Sequence, residues 1–123
     1  MVEKVEKGFR KLLVWQKAHQ FALLTYRLST SFPKSELFGL TSQMRRAAVS
    51  VPANIAEGYA AGSQGQFARF LNIAQGSLAE VEYYLIVSRD LNYMTSLQYE
   101  EIEALRGETG FLLHRLIQSL EQK

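Results

Sequence analysis

The sequence predicts an all-α protein, an antiparallel up-down four-helix bundle, on three observations. Four segments carry apolar residues at alternating spacings of three and four, the period of a helix with one buried face. Short connections separate these segments, which favours antiparallel packing of consecutive helices. No window alternates apolar and polar residues as a strand does, and the chain contains only two prolines. A chain of 123 residues without cysteine is long enough to bury a core unaided by disulfides or zinc.

The first helix is predicted from Lys11 to about Ser31, where Pro33 ends it by disfavouring helical geometry at Phe32. Its apolar seam consists of Val14, Ala18, Phe21, Thr25, Leu28 and Phe32. A second row flanks the seam and consists of Leu12, Trp15, His19, Ala22 and Tyr26. This arc is wider than a bundle core requires. Either the helix is deeply buried or Trp15 and its row also contact another subunit.

The second helix is predicted from Glu36 to Glu57, with a kink near Pro52. Proline lacks a backbone donor and its ring clashes with the carbonyl four residues earlier, here that of Ala48. Gly58 is then the natural helix-ending residue.

The third and fourth helices each begin with a predicted capping box, Ser63 with Gln66 and Thr95 with Gln98. The third runs to about Leu91, and its internal Gly76 is interpreted as a mark of close helix packing. The fourth carries its buried stripe to the C-terminus on Ile102, Leu105, Thr109, Leu112, Leu116 and Leu120.

The domain organisation follows from this pattern. Residues 1–10 are expected to be a frayed, charged N-terminal tail, and residues 11–123 a single four-helix bundle domain. No apolar run approaches the ~20 residues that a membrane-spanning helix needs. The N-terminus lacks the apolar region of a signal peptide, so the expected compartment is the cytoplasm, with no membrane partner.

The charge is unevenly distributed, although the net charge is only +2. Residues 1–61 hold nine Lys or Arg against four Glu, whereas residues 62–123 hold five against eight acidic residues. On charge alone this asymmetry favours an ordinary solvated surface, and the alternative is one basic face that meets phosphate. The candidate nucleic-acid-binding residues are Arg45, Arg46, Lys17 and Arg27. Arginine suits this role because its planar guanidinium binds phosphate through two hydrogen bonds.

Enzyme classes are poorly supported by the sequence. The absence of cysteine removes thiolate nucleophiles and thiolate metal sites. The Glu-x-x-His motif of di-metal bundles is missing, because the residue three positions before His19 is Gln16 and the residue three positions before His114 is Phe111. The glycines before the third helix follow a helix, which excludes a phosphate-binding loop of the P-loop type. We therefore expect no catalytic residues, no metal and no cofactor.

Four sequence blocks occur in order between Val14 and Asp90. They are Val14-Trp15-Gln16-Lys17-Ala18, then Phe32-Pro33-x-x-Glu36-x-x-Gly39-Leu40, then the unbroken segment from Gln43 to Gly58, then Phe67-x-x-Phe70-Leu71-x-Ile73-Ala74-x-Gly76-Ser77-Leu78-x-Glu80. Together they resemble the four-helix bundle proteins encoded in 23S rRNA intervening sequences, to which the accessory variability proteins of diversity-generating retroelements are similar.

The resemblance implies a four-helix bundle without enzymatic activity that assembles as a ring of five identical subunits. It further implies nucleic-acid binding through a basic surface, as in the retroelement relatives. Many relatives carry Arg and Lys in the loop before the third helix, whereas residues 59–66 here carry no charge. Because phosphate contacts supply most non-specific affinity, this loss should weaken binding.

The sequence therefore predicts a cytoplasmic homo-oligomer that binds RNA or DNA through a basic face. The alternative is a structural scaffold ring that recruits a protein partner. Four residues are predicted to serve structure or subunit contacts: Trp15, Pro52, Asn54 and Glu57. Asn54 and Glu57 are expected to form hydrogen bonds around the kink that frees the Ala48 carbonyl.

Overall fold

The chain folds into four long helices, and the computed structural model describes residues 7–122. A 3₁₀ turn, Gly8–Lys11, precedes helix α1, Leu13–Ser29. A 3₁₀ turn, Lys34–Glu36, and a π-helical turn, Leu37–Thr41, lead into α2, Ser42–Ala60; α3 spans Gln64–Asp90 and α4 spans Ser96–Glu121. The described part contains no strand, which confirms the all-α prediction. None of its helices is long and apolar enough to cross a membrane.

Consecutive helices run antiparallel, as two successive contacts between α2 and α3 demonstrate. The Tyr84 hydroxyl donates to the Gln43 side chain at 3.0 Å near the start of α2. Seven residues further along α2, the hydroxyls of Ser50 and Ser77 lie 2.8 Å apart. The contact partner in α3 therefore moves backward as α2 advances. The same reversal joins α1 to α2 through Ser29–Arg45, with Lys11 of the preceding 3₁₀ turn over Tyr59 near the end of α2. It also joins α3 to α4 through Glu82–Arg106 and Gln64–Leu120.

The core consists of one apolar face from each of the four helices, and the face of α4 is shifted from the one predicted. Phe21, Met44 and Leu85 are completely buried, one each from α1, α2 and α3. In α4 the residues buried after Thr109 are Leu113 and Ile117, one position later than predicted. The predicted Leu112 and Leu116 also pack against the core but are only partly buried, because a straight helix has 3.6 residues per turn and a seven-residue pattern drifts by about 20° per heptad.

The second apolar row of α1 is covered in part by the chain itself. Ala22 is buried, and Trp15 is partly buried because the ring of Phe9 meets it edge-on at 5.1 Å between centroids. His19 and Tyr26 are exposed. The 3₁₀ turn that carries Phe9 includes residues 8–10 of the expected tail, whereas residues 1–6 lie outside the described part. Part of the wide arc is thus explained without a second subunit.

The connection from α1 to α2 is more elaborate than predicted. The second helix was expected from Glu36, but α2 begins at Ser42 because Gly39 adopts a non-helical backbone, with φ −116° and ψ −112°. Glu36 accepts from the Leu40 backbone N–H at 3.3 Å and from the Tyr93 hydroxyl at 2.9 Å. This hydrogen bond to a carboxylate raises the pKa of Tyr93 above its ordinary value. Glu36 therefore links the α1–α2 connection to the α3–α4 connection.

Two glycines play roles different from those predicted. Gly58 lies inside α2, where an added Cβ would meet the Phe70 Cβ at 2.7 Å, so it permits the close approach of α3. Gly62, with φ +85°, takes the left-handed conformation that follows the helix end. A Cβ added at Gly76 would meet no atom within 4 Å, so the interpretation of Gly76 as a close-packing residue was wrong. Pro52 is buried within the continuous helix, and the kink there stays a prediction.

Replacing Thr41 with valine is expected to raise the free energy of unfolding by about 1 kcal/mol. The Thr41 Oγ1 atom is buried and has no hydrogen-bond partner among the described residues. Valine has nearly the same shape and removes a polar group that is desolvated on folding. Urea unfolding measures the change. Thr25→Val is the matched control and should destabilise, because the Thr25 hydroxyl donates to the Phe21 carbonyl at 2.9 Å. Equal effects of the two variants would contradict the assignment.

Candidate nucleic-acid interface

An open groove lies between the end of α1 and the start of α2. We call it the Phe38 groove; its volume is about 530 Å³, and its lining residues are Tyr26, Leu37, Phe38, Ser42, Arg45, Arg46 and Val49. Phe38 is 92% exposed, the largest value among the large apolar side chains of the described residues. The π-helical turn presents Phe38 at this site, while α2 supplies the two arginines one turn further on. The groove thus combines apolar walls with two guanidinium groups.

Arg45 is committed to contacts within the chain. Its Nε donates to the Ser29 hydroxyl at 2.8 Å, and its Nη2 donates to the Tyr26 carbonyl at 3.3 Å. The guanidinium also lies 4.8 Å from the centroid of the Tyr26 ring. A cation at the C-terminus of α1 interacts favourably with the helix dipole and with unpaired carbonyls. Arg45 therefore fastens α2 to the last turn of α1.

Arg46 is placed differently. Its side chain is exposed, and among residues 7–122 it forms no hydrogen bond or ion pair. Arg46 and Phe38 also line the neighbouring depression between α2 and α3, which includes Glu80. Arg46 consequently stands on the ridge between two depressions, where its guanidinium is accessible to an incoming phosphate.

Lys17 and Arg27 lie on the other side of α1 and do not line the Phe38 groove. The Lys17 ammonium is 3.2 Å from the Glu108 carboxylate of α4. Arg27 lines a depression between α1 and α4 together with Glu101. The structure therefore brings Arg45 and Arg46 together and places the other two predicted phosphate contacts beside acidic residues of α4.

Trp15 belongs to an aromatic stack at the opposite end of the bundle. Its indole lies parallel to the His19 imidazole, with 5.0 Å between ring centroids and 9° between planes. Phe9 packs on it edge-on. Trp15 thus makes contacts within its own chain, and its predicted role at a subunit contact stays a prediction.

Asn54 and Glu57 differ in the hydrogen bonds that their side chains make. Asn54 Nδ2 donates to the Ser50 carbonyl at 2.8 Å and to the Ser50 hydroxyl at 2.9 Å, so these bonds go to Ser50 and not to Ala48. The Ser50 hydroxyl continues this chain of hydrogen bonds to Ser77 of α3. Glu57 is exposed and makes no side-chain hydrogen bond or ion pair with another described residue. Asn54 therefore supports helix packing two residues after Pro52.

Sequence reasoning missed Phe38 and Tyr26 as members of this surface. The predicted apolar stripe of the second helix, which begins with Leu37, Leu40 and Met44, leaves out Phe38, and this was the one sign in the sequence that Phe38 faces outward. Tyr26 belongs to the predicted second row of α1, but its role beneath Arg45 depends on a residue 19 positions away. Within residues 7–122 no group of three or more acidic or histidine residues could hold a metal ion.

The fold and this surface define the class of protein, a small four-helix bundle whose prominent feature is an arginine-bearing apolar groove. The sequence model of the 23S rRNA-intervening sequence protein family matches residues 10–115. The chain belongs to this family. No curated protein matches the chain.

A solved structure supports the same assignment. It is the crystal structure of a protein with unknown function from the S23 ribosomal protein family of Bacteroides thetaiotaomicron. It is 31% identical in sequence to this chain, with a TM-score of 0.78, and the match covers 86% of this chain and 96% of that one. Family and structural neighbour thus agree on the fold and leave the molecular role open.

Proposed function

We propose that this chain is a non-enzymatic, cytoplasmic protein that assembles into a homo-oligomer of five subunits and binds nucleic acid through Arg46. The observation that carries the proposal is the exposed, unpaired guanidinium of Arg46 beside Phe38 in the described part of the chain. Arginine interleaved with an exposed aromatic ring suits a nucleic acid, which offers both phosphates and base faces.

Self-assembly is supported by apolar side chains that the bundle leaves uncovered. Leu97, Tyr83 and Phe111 are 78%, 63% and 60% exposed, and they lie on α3 and α4, outside the Phe38 groove. We infer that these side chains contribute to contacts between copies of the chain. The resemblance to the family gives the expected number of five. A ring repeats each Arg46 around its axis, so a modest charge per subunit becomes a strong local field.

The proposed nucleic-acid binding is tested by measuring the affinity for generic RNA and duplex DNA over a series of salt concentrations. Log affinity should fall linearly with log salt concentration, and Arg46→Ala should reduce the slope by about one for each phosphate that Arg46 neutralises. Arg46 is preferred to Arg45 because Arg45 also holds α1 and α2 together. Arg89→Ala is the matched control, since Arg89 lies on α3 beside Asp90 and carries the same charge. No binding by the wild type at low salt would overturn the proposed nucleic-acid binding.

The second candidate function is a scaffold ring that recruits a protein partner. The exposed apolar residues outside the groove favour it, because they could serve a second protein as well as a second copy. Light scattering together with the salt series separates the cases: an assembly of five times the 14.0-kDa chain that binds no nucleic acid supports the scaffold. A monomeric mass would contradict assembly in both candidates.

A further inference from the structure

A second cluster of basic and aromatic side chains lies at the end of the bundle far from the Phe38 groove. The 3₁₀ turn Gly8–Lys11 folds back so that Phe9 meets Trp15, and Trp15 lies parallel to His19. We call these three rings the Trp15 stack. A cleft of about 400 Å³ runs beside it and is lined by Arg10, Trp15, Gln16, His19 and Gln20.

The turn that completes this cluster is held by hydrogen bonds. The Gln16 side-chain amide donates to the Arg10 carbonyl at 2.8 Å, and the Leu12 N–H donates to the Phe9 carbonyl at 3.0 Å. Gly8 enters the turn with φ +62°, a conformation open to glycine. The backbone positions of the basic residues in the turn are therefore fixed relative to the Trp15 stack.

Three cations stand in and next to this turn. Lys7, Arg10 and Lys11 are exposed, and none of them forms an ion pair with another residue in 7–122. The Lys11 ammonium lies 5.8 Å from the centroid of the Tyr59 ring. In the sequence, Glu3 and Glu6 precede them, together with Lys4, so residues 1–11 keep an excess of positive charge.

The stacked rings leave a place for another flat group. Trp15 covers one face of the His19 ring, and His19 is exposed, so its opposite face is accessible from solvent. Gln16 has used one amide hydrogen on Arg10, and its carbonyl oxygen and the amide of Gln20 border the same cleft. A planar heterocycle with polar edges fits such a site, because it stacks on the imidazole and finds donors and acceptors beside it.

We propose that this end of the bundle binds single-stranded nucleic acid, with a base stacked on His19 and the adjoining phosphates contacted by Arg10 and Lys11. Stacking on aromatic side chains is tolerant of base identity, and a duplex does not offer the unpaired base face that it needs. The inference rests on the proposed nucleic-acid binding but assigns it a second surface, distinct from Arg46.

Trp15 supplies the measurement, because it is the single tryptophan of the chain. Oligo(U), oligo(dT) and a duplex of equal length are titrated into the full chain while tryptophan fluorescence is recorded. The single strands should quench Trp15 and the duplex should not. The comparison of oligo(U) with oligo(dT) shows whether RNA or DNA is preferred.

Two sets of variants test the assigned roles. His19→Ala should weaken single-strand binding about five- to 150-fold, the range for loss of one stacked base, while His19→Phe should retain it. Arg10→Ala with Lys11→Ala should reduce the salt slope by about 1.4, because each phosphate contact on a single strand contributes about 0.7 to the slope. His19 is exposed, so far-UV circular dichroism of its variants should match that of the wild type.

The outcomes separate this inference from the proposed function. Binding that depends on Arg46, without quenching of Trp15 and without an effect of His19→Ala, would overturn the inference and leave the proposed function standing. Quenching that persists in Arg46→Ala and is lost in His19→Ala would support it. Absence of binding by any probe at low salt would overturn both.

Discussion

Replacing Phe21 with alanine is expected to lower the free energy of unfolding by about 3–5 kcal/mol. Phe21 is completely buried at the centre of α1 and is the largest such side chain in the described core. Its removal loses the transfer free energy of the ring and leaves a cavity that four tightly packed helices cannot fully close. Urea unfolding followed by circular dichroism measures the loss as a lower midpoint with an unchanged slope.

Phe38→Ala is the matched control for Phe21→Ala. The same atoms are removed, but Phe38 is 92% exposed, so the free energy of unfolding should change by no more than about 0.5 kcal/mol. A loss from Phe38→Ala as large as that from Phe21→Ala would contradict the exposure of this ring.

Replacing Gly58 with alanine is the second large expected effect, a loss of about 1–3 kcal/mol. The new Cβ would lie 2.7 Å from the Phe70 Cβ, 3.1 Å from the Phe67 Cδ1 and 3.3 Å from the Phe67 carbonyl oxygen. The Phe70 Cβ is attached directly to the α3 backbone and cannot rotate away, so α2 and α3 must separate. The Ser50–Ser77 hydrogen bond, which joins the same two helices, would be strained by that movement.

The control for Gly58→Ala is the same substitution at Gly76. An added Cβ there meets no atom within 4 Å, and alanine is the better helix former by about 1 kcal/mol. Thermal unfolding should therefore show a lower midpoint for Gly58→Ala and a higher one for Gly76→Ala. Two shifts in the same direction would refute the packing difference between these glycines.

The helices could be predicted from the sequence because their evidence is local. The three-and-four spacing that includes Phe21 and Leu85 depends only on helix geometry, and both side chains are buried. The capping box of Thr95 and Gln98 is likewise present, with reciprocal bonds at 3.1 and 2.9 Å. Such interactions join residues within about one helical turn, so the sequence pattern alone is sufficient to predict them.

The start of α2 and the roles of the glycines could not be predicted, because they depend on distant residues. The π-helical turn needs Glu36, which Tyr93 contacts from 57 positions away. Gly58 is required by Phe70, and nothing in the spacing of α2 indicates which residue of α3 will face it.

The sequence indicated that the candidate surface contains arginine, but it did not indicate the contacts that each arginine makes. The Arg45–Arg46 pair stands out in the sequence as a basic feature, but adjacent helix residues point about 100° apart, so the two arginines have different surroundings. Arg45 reaches Ser29 across the helix pair, whereas Arg46 faces outward. The turn carrying Arg10 was expected to belong to the tail because its support, a side-chain bond from Gln16, leaves no periodic pattern.

The hydrogen bonds of Glu36 affect how a partner binds at Phe38. By accepting hydrogen bonds from Leu40 and from Tyr93, Glu36 immobilises the short turn on which Phe38 stands. A protruding ring on a flexible loop would lose conformational entropy on binding, and this loss would lower the affinity. Here the backbone of the turn is ordered during folding, so whatever covers Phe38 meets a ring whose attachment point is already fixed.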